Sequence, residues 1–209
     1  MLSPADRLIV ELDRSVRTLF GVPRAERPMP GGAVPEPALT PAERAEAAAL
    51  MRVNHCGEVC AQALYQGQAL ASGNAELKRS LMQAAREEED HLAWSEQRIA
   101  ELGGQTSVLN PLWYAGSLAI GFVAGKLGDA WNLGFLSETE RQVERHLQGH
   151  LDRLSAKDVR TRRVIDAMKH DEAGHARTAE ALGARELPDP IRIGMAAAAK
   201  LMTTASYWV

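Results

Sequence analysis

The sequence holds little that a β fold could use. No stretch alternates apolar and polar residues over a useful length, and aromatic residues make up only 5% of the chain. Positive charge is not in excess either. With 24 basic and 27 acidic residues the net charge is -3, which excludes a global basic field and argues against nucleic acid as a partner. Cysteine is down to two, Cys56 and Cys60, four residues apart. They cannot build a disulfide framework or a four-thiolate metal site, and they read as core residues of a reduced, cytoplasmic-side protein. The opening MLSPADRLIVELDR carries acids and arginines throughout and no apolar centre, so it does not read as a secretory signal. Long apolar runs are also missing. The longest uncharged run lies between Glu101 and Lys126, broken by Asn110, Pro111 and glycines at 103, 104, 116, 121 and 125. A spanning helix needs about 20 consecutive apolar residues, so this run is greasy without being a clear span.

What is present is helical. Hydrophobic residues make up 45% of 209 positions, with alanine and leucine abundant, enough for one domain with an ample core and an extra arm. Residues 4–20 place Leu8, Ile9, Leu12, Val16, Leu19 and Phe20 on one side of a short amphipathic helix. The segment GVPRAERPMPGGAVPEPALTP then holds six of the ten prolines and reads as a partly extended, mobile linker. Residues 1–40 therefore form an N-terminal arm, and residues 41–209 the domain proper. Thr40 and Pro41 start a long helix over 41–71, a second covers 74–102, a third 129–154 and a fourth 156–182, with Ser155 and Asp158 as a capping pair. The last segment, IRIGMAAAAKLMTTASYWV, is apolar with one lysine inside it. Four long helices with one long crossing connection predict an all-α, ferritin-like four-helix bundle with additional apolar helices.

Helical phase singles out six residues. In the second long helix Leu77, Leu81, Ala84, Glu88, His91, Ser95 and Leu102 share one stripe. Glu87, Glu89 and Asp90 fall off that stripe and read as surface charge. The fourth helix repeats the pattern with Ile165, Met168, Glu172, His175, Ala179 and Leu182. The third carries a lone Glu140 in a leucine-and-valine seam, and the first a lone Glu58 among Met51, Asn54, Ala61 and Tyr65. Glu58 precedes the first E-x-x-H by 30 residues and Glu140 precedes the second by 32, a twofold repeat of one helix pair. Composition alone gives about half of one E-x-x-H by chance, so the weight lies in the shared burial phase and the paired order.

Four inward carboxylates facing one another raise each other's pKa and destabilise a core unless a cation neutralises them. Two divalent ions carry the charge that cancels four glutamates, leaving two imidazoles as further ligands. One Glu from each of two helices, with Glu-x-x-His from each of the other two, is the di-iron or di-manganese carboxylate arrangement. The expected ligands are Glu58, Glu88, His91, Glu140, Glu172 and His175. Elsewhere, His55 and His170 read as solvent-facing or satisfied histidines, and His146 and His150 lie off the face of Glu140. Asp90 and Asp171 either steady a ligating histidine or are helix-surface charge. Trp113, Tyr114, Phe122, Trp131 and Trp208 read as core or membrane-interface residues rather than a redox relay.

The runs LMRVNHCGEVCAQALYQGQ, REEEDHLAW, NPLWYAGSLAIGFVAGKLGD, ETERQVERHL and KHDEAGHA resemble the demethoxyubiquinone hydroxylases of ubiquinone synthesis. The likeness covers residues 48–209, and its most specific parts are R-V-N-H-x-G-E and the six-ligand spacing. The arm at 1–40 lies outside it. The family often has Ala or Gly where Cys56 and Cys60 stand. The resemblance implies a monooxygenase in which two Fe(II) ions and O2 hydroxylate the ring of a polyprenylated demethoxybenzoquinol. Manganese stays open as an alternative metal, and Glu88 and Glu172 are the expected bridging carboxylates at the reacting centre. A polyprenyl substrate implies access from a bilayer, so residues 108–125 and 191–209 are expected at a membrane surface, on its cytoplasmic face. An unidentified reductant and other ubiquinone-synthesis proteins are the implied partners, and homo-oligomer formation stays open. Two other readings use the same residues: a ferritin-like iron oxidase or peroxide-reducing di-iron protein, and a non-enzymatic helical interaction protein. No C-x-x-C module is present, which weighs against the rubrerythrin type of peroxidase.

Overall fold

The punctuation of the sequence is realised closely in the computed structural model, which describes residues 3–209. Among these residues there are seven helices and no strand: α1 (Pro4–Phe20), α2 (Pro41–Ala71), α3 (Ala75–Glu101), α4 (Asn110–Lys126), α5 (Asp129–Arg153), α6 (Val159–Ala181) and α7 (Asp189–Trp208). Thr40 caps α2 as expected. Its hydroxyl accepts the Glu43 N–H, Glu43 reaches back to the Thr40 N–H, and Pro41 opens the helix. At α6 the capping pair resolves to one residue. Asp158 accepts the Thr161 N–H at 3.1 Å, while the Ser155 hydroxyl donates to Glu43 instead.

Helices α2 and α3 pack as one hairpin and α5 and α6 as another, with α4 in the long connection between them. That element order and pairing are consistent with the ferritin-like bundle. The interior is layered. One apolar cluster joins Leu50, Met51, Trp94, Ile99, Leu147, Leu151, Ile165 and Met168, and a second joins Tyr65, Leu77, Leu81, Leu133, Leu136 and Ala179. In every one of the four helices the six singled-out acids and histidines fall in the chain between these two clusters, so they form a polar layer with apolar packing on both sides.

Helix α4 lies against the outside of α2, and glycine makes the contact close. A Cβ on Gly67 would sit 2.3 Å from the Leu118 carbonyl oxygen, and one on Gly121 would sit 2.4 Å from that of Leu64. Its outer side leaves Leu112, Ile120, Phe122 and Val123 exposed, as α7 leaves Ile193, Leu201 and Trp208 and α1 leaves Leu8, Ile9, Leu12 and Phe20. No helix of the described residues is long and apolar enough to cross a membrane.

The proline-rich segment is extended, as its composition demands, but it is tied to the bundle rather than loose. Glu36 receives two bonds from Arg98, at 2.8 and 3.1 Å, and Arg98 is fully buried between Thr161 and Asp158. Arg27 makes the second tie, to Asp90 and Asp171. These two charged anchors do what a hydrophobicity pattern cannot reveal.

Candidate metal centre

All six expected residues meet at the polar layer. Glu58, Glu88, His91 and Glu172 can place one oxygen or nitrogen each within 4.8 Å of one another, and so can Glu88, Glu140, Glu172 and His175. Glu88 and Glu172 belong to both groups. None of the six is more than 9% exposed. Each E-x-x-H places its histidine one turn beyond its glutamate on the inward face of α3 or α6, and α2 and α5 each add one glutamate from opposite sides.

Both imidazoles are oriented alike. His91 Nδ1 lies 2.8 Å from Glu88 Oε2 and 3.3 Å from Glu172 Oε1, while its Nε2 meets Asp171 Oδ2 at 2.9 Å. His175 Nδ1 lies 3.1 Å from Glu88 Oε1, and its Nε2 meets Glu87 Oε2 at 2.8 Å. Each histidine is thus gripped from behind by the residue preceding the glutamate of the other E-x-x-H. A carboxylate on Nε2 holds the proton there, so the proton that a metal ion would displace is the one on Nδ1, toward the centre. Tyr65, also buried, donates its hydroxyl to Glu140 Oε1 at 2.5 Å and lies 3.3 Å from Glu88 Oε1. A cavity of about 10 Å³, room for one water molecule, adjoins Tyr65 and Glu140 between α2 and α5.

Electrostatics shows what the layer must balance. Burial, then the neighbouring carboxylate of Glu88, pushes the Glu58 carboxyl well up, and burial with Glu172 does the same to Glu140. Burial also works to raise Glu88, but His91 and His175 overcome it and hold that carboxyl well below the usual range. Glu172 is lowered too, because His175, His91 and Glu140 beside it outweigh burial and Glu88. Burial opposes charge on both histidines, yet the surrounding carboxylates lift His91 far above its ordinary value and His175 to about 12. The shifts offset one another: two acids are pushed toward the neutral form, two toward the carboxylate, and two histidines toward the imidazolium.

The residues fit metal ions. His175 Nδ1 is buried, aimed at carboxylate oxygens, and makes no hydrogen bond of its own. Oxygen and imidazole donors without thiolate suit iron or manganese. Cys56 is instead spent on Ser206, whose hydroxyl donates to its sulfur at 3.2 Å.

Other expectations divide. His170 is exposed, and His55 is buried beside Asn110, where burial lowers it to about 4. His146 and His150 lie off the centre as expected, edge to face with ring centres 4.0 Å apart. Of the two aspartates left open, Asp171 touches a centre histidine and Asp90 does not. The acidic run needs correction. Glu89 is exposed, but Asp90 is 3% exposed because the arm covers it, and Glu87 turns back to His175. Helical phase does not by itself mark Glu87 or Tyr65 as part of the site. Tyr65 shared the stripe of Glu58, which was the one signal available for it.

The fold and the centre together define an all-α bundle protein with a buried carboxylate–imidazole site suited to metal ions. Comparison with known proteins narrows this. The chain belongs to the family described as Ubiquinone biosynthesis protein COQ7, which it matches over residues 45–206. It is 57% identical over 204 residues to a protein of Azoarcus sp. (strain BH72) named 3-demethoxyubiquinol 3-hydroxylase, covering 98% of this chain and 99% of that one. A protein of Aromatoleum aromaticum with the same name is 57% identical over 202 residues, covering 97% and 98%. One of Nitrosospira multiformis, again so named, is 57% identical over 204 residues, covering 98% of each.

Proposed function

We propose that this chain is a 3-demethoxyubiquinol 3-hydroxylase, a di-iron monooxygenase acting on the ring of a polyprenylated quinol. The observation that carries the reading is the pair of four-residue groups sharing Glu88 and Glu172, in a chain whose relatives bear that name along nearly their whole length. Glu58 and His91 would hold one ion and Glu140 and His175 the other, with Glu88 and Glu172, which belong to both groups, available to each. Two ferrous ions, when bound, supply the electrons and open positions by which O2 is activated. In the overall reaction a ring C–H becomes C–OH, and the second oxygen atom leaves as water with two electrons and two protons from a donor.

The chain's own residues prepare that site. Asp171 and Glu87 keep the Nε2 protons of His91 and His175 in place, so both Nδ1 atoms stay available as ligands. Tyr65 fixes Glu140 beside the small cavity by donating its hydroxyl to that carboxyl. The apolar clusters above and below keep bulk water out of the layer.

The exposed apolar residues of α4 and α7, joined by those of α1, support a peripheral seat on the cytoplasmic face of the cell membrane. A polyprenyl tail stays in lipid, and such a surface brings its ring to the bundle. Co-sedimentation with anionic vesicles should fall when Leu112 and Val123 both become Glu; undiminished binding would remove this part of the reading.

Deletion in the native host followed by quinone profiling tests the function. A demethoxy intermediate should accumulate, rescued by the wild-type chain and not by Glu172→Ala. An unchanged ubiquinone pool would sink the assignment. Purified protein should carry about two irons per chain, and Glu88→Ala should lose most of both.

A further inference from the structure

One residue of the N-terminal arm reaches the hydrogen bonds of the centre itself. Arg27 Nη1 lies 2.9 Å from Asp171 Oδ2, and that same oxygen lies 2.9 Å from His91 Nε2. A single carboxylate oxygen stands between the arm and a histidine of the site. Further contacts hold Arg27 there. Its Nε meets Asp90 Oδ2 at 2.5 Å, and Asp90 Oδ1 accepts the backbone N–H of Glu26 at 2.6 Å and of Arg27 at 3.3 Å. The guanidinium stacks on Trp94, 4.8 Å from the ring centre, and the indole N–H donates to the Arg27 carbonyl at 3.2 Å. Asp90 and Trp94 belong to α3 and Asp171 to α6, so one side chain joins both E-x-x-H helices at the level of the site. Only a guanidinium has the donors and the flat face to meet two carboxylates and an indole at once.

The two halves of the centre differ here. On the other side the carboxylate behind His175 is Glu87, whose side chain is 40% exposed and whose other oxygen takes only the Gln83 amide. The carboxylate behind His91 is 20% exposed and locked by Arg27. A carboxylate fixed by a cation cannot swing off the imidazole, so the ring plane and tautomer of His91 are fixed with it.

We infer that Arg27 is a positioning residue for the half of the centre formed by Glu58, Glu88, His91 and Glu172. The arm is thereby part of that half-site and not a tether. The inference rests on the two-ion reading above.

The test is iron release from anaerobically Fe(II)-loaded protein into excess chelator, followed optically, for wild type, Arg27→Ala, Asp171→Asn, the double variant and Arg24→Ala as an exposed control. In Arg27→Ala one ion per chain should leave roughly tenfold faster, the range known for residues behind a metal ligand. The second ion should keep the wild-type rate. Asp171→Asn should speed the same ion, and the double variant should be no faster than Asp171→Asn alone, because Arg27 acts through that carboxylate. Release of both ions at the wild-type rate overturns the inference, and so does equal acceleration of both, which is general loosening. Should Arg27→Ala not fold, Arg27→Lys decides: it keeps the charge but cannot span both carboxylates, so faster loss of one ion supports the role and unchanged loss ends it. Wild-type protein that binds no iron would overturn the two-ion reading instead.

Discussion

Loading the centre with two divalent ions at pH 7 should expel about four protons per chain. The count follows from charge balance in a buried layer. Without metal, the surroundings favour the imidazolium for His91 and His175, the carboxylate for Glu88 and Glu172, and the neutral acid for Glu58 and Glu140. Bound metal requires six unprotonated ligands at their inward atoms, so two acids and two imidazoliums must each give up one proton. The charge sums agree, since two ions bring in as much positive charge as four protons take away. Titration calorimetry in two buffers of different ionisation enthalpy reads the number directly, with Mn(II) or anaerobic Fe(II) as titrant. Glu58→Gln should lower it to about three, because an amide has no acid proton to lose. Protons and metal compete, so affinity must rise with pH, by roughly 100-fold per pH unit for each ion if each displaces two protons. Release of one proton or none would refute the reasoning, since the carboxyls would then already be ionised in the metal-free core.

Three further outcomes are expected. His150 is held down to about 2 by burial and by the charges of His146 and Arg153, so the stability it contributes is present above its unfolded value of 6.5 and is lost as pH falls below it. Denaturant unfolding between pH 6.5 and 4.5 should show a loss approaching 1.4 kcal/mol per pH unit from this group, and the slope should flatten in His150→Asn. Tyr65→Phe leaves Glu140 without its buried donor and should cost about 1–3 kcal/mol in urea unfolding of the metal-free protein, with unchanged stability refuting the bond's role. Gly67→Ala forces a methyl group against the Leu118 carbonyl, 2.3 Å from the position its carbon would take, and should cost at least about 1–3 kcal/mol by separating α4 from α2. Wild-type thermal stability in that variant would mean the helix contact is looser than described.

Much of the centre could be read along the chain because its acids and histidines obey a helical period. Glu58, Glu88, Glu140 and Glu172 each interrupt an apolar stripe, and His91 and His175 each follow one turn later, so phase alone assigned them to the interior. The residues behind them followed no such rule. Glu87 lies one position off the stripe and was assigned to the surface, yet it reaches His175 on α6, and Asp171 on α6 reaches His91 on α3. That exchange depends on the distance and rotation between two helices about 80 residues apart in sequence. Asp90 faces away from the centre and is buried only because the arm lies over it.

The sequence by itself determined the long helices, the Thr40 cap and the six inward acids and histidines, because hydrogen-bond capping and the 3.6-residue period act over a few neighbouring residues. It also determined that α4 and α7 are unusually apolar. The tertiary structure alone decided which acid backs which histidine, why Gly67 and Gly121 stand opposite one another's helices, and that a proline-rich arm ends on Asp171 through Arg27. Those outcomes depend on how whole helices approach one another, and no local pattern in a single helix records that approach.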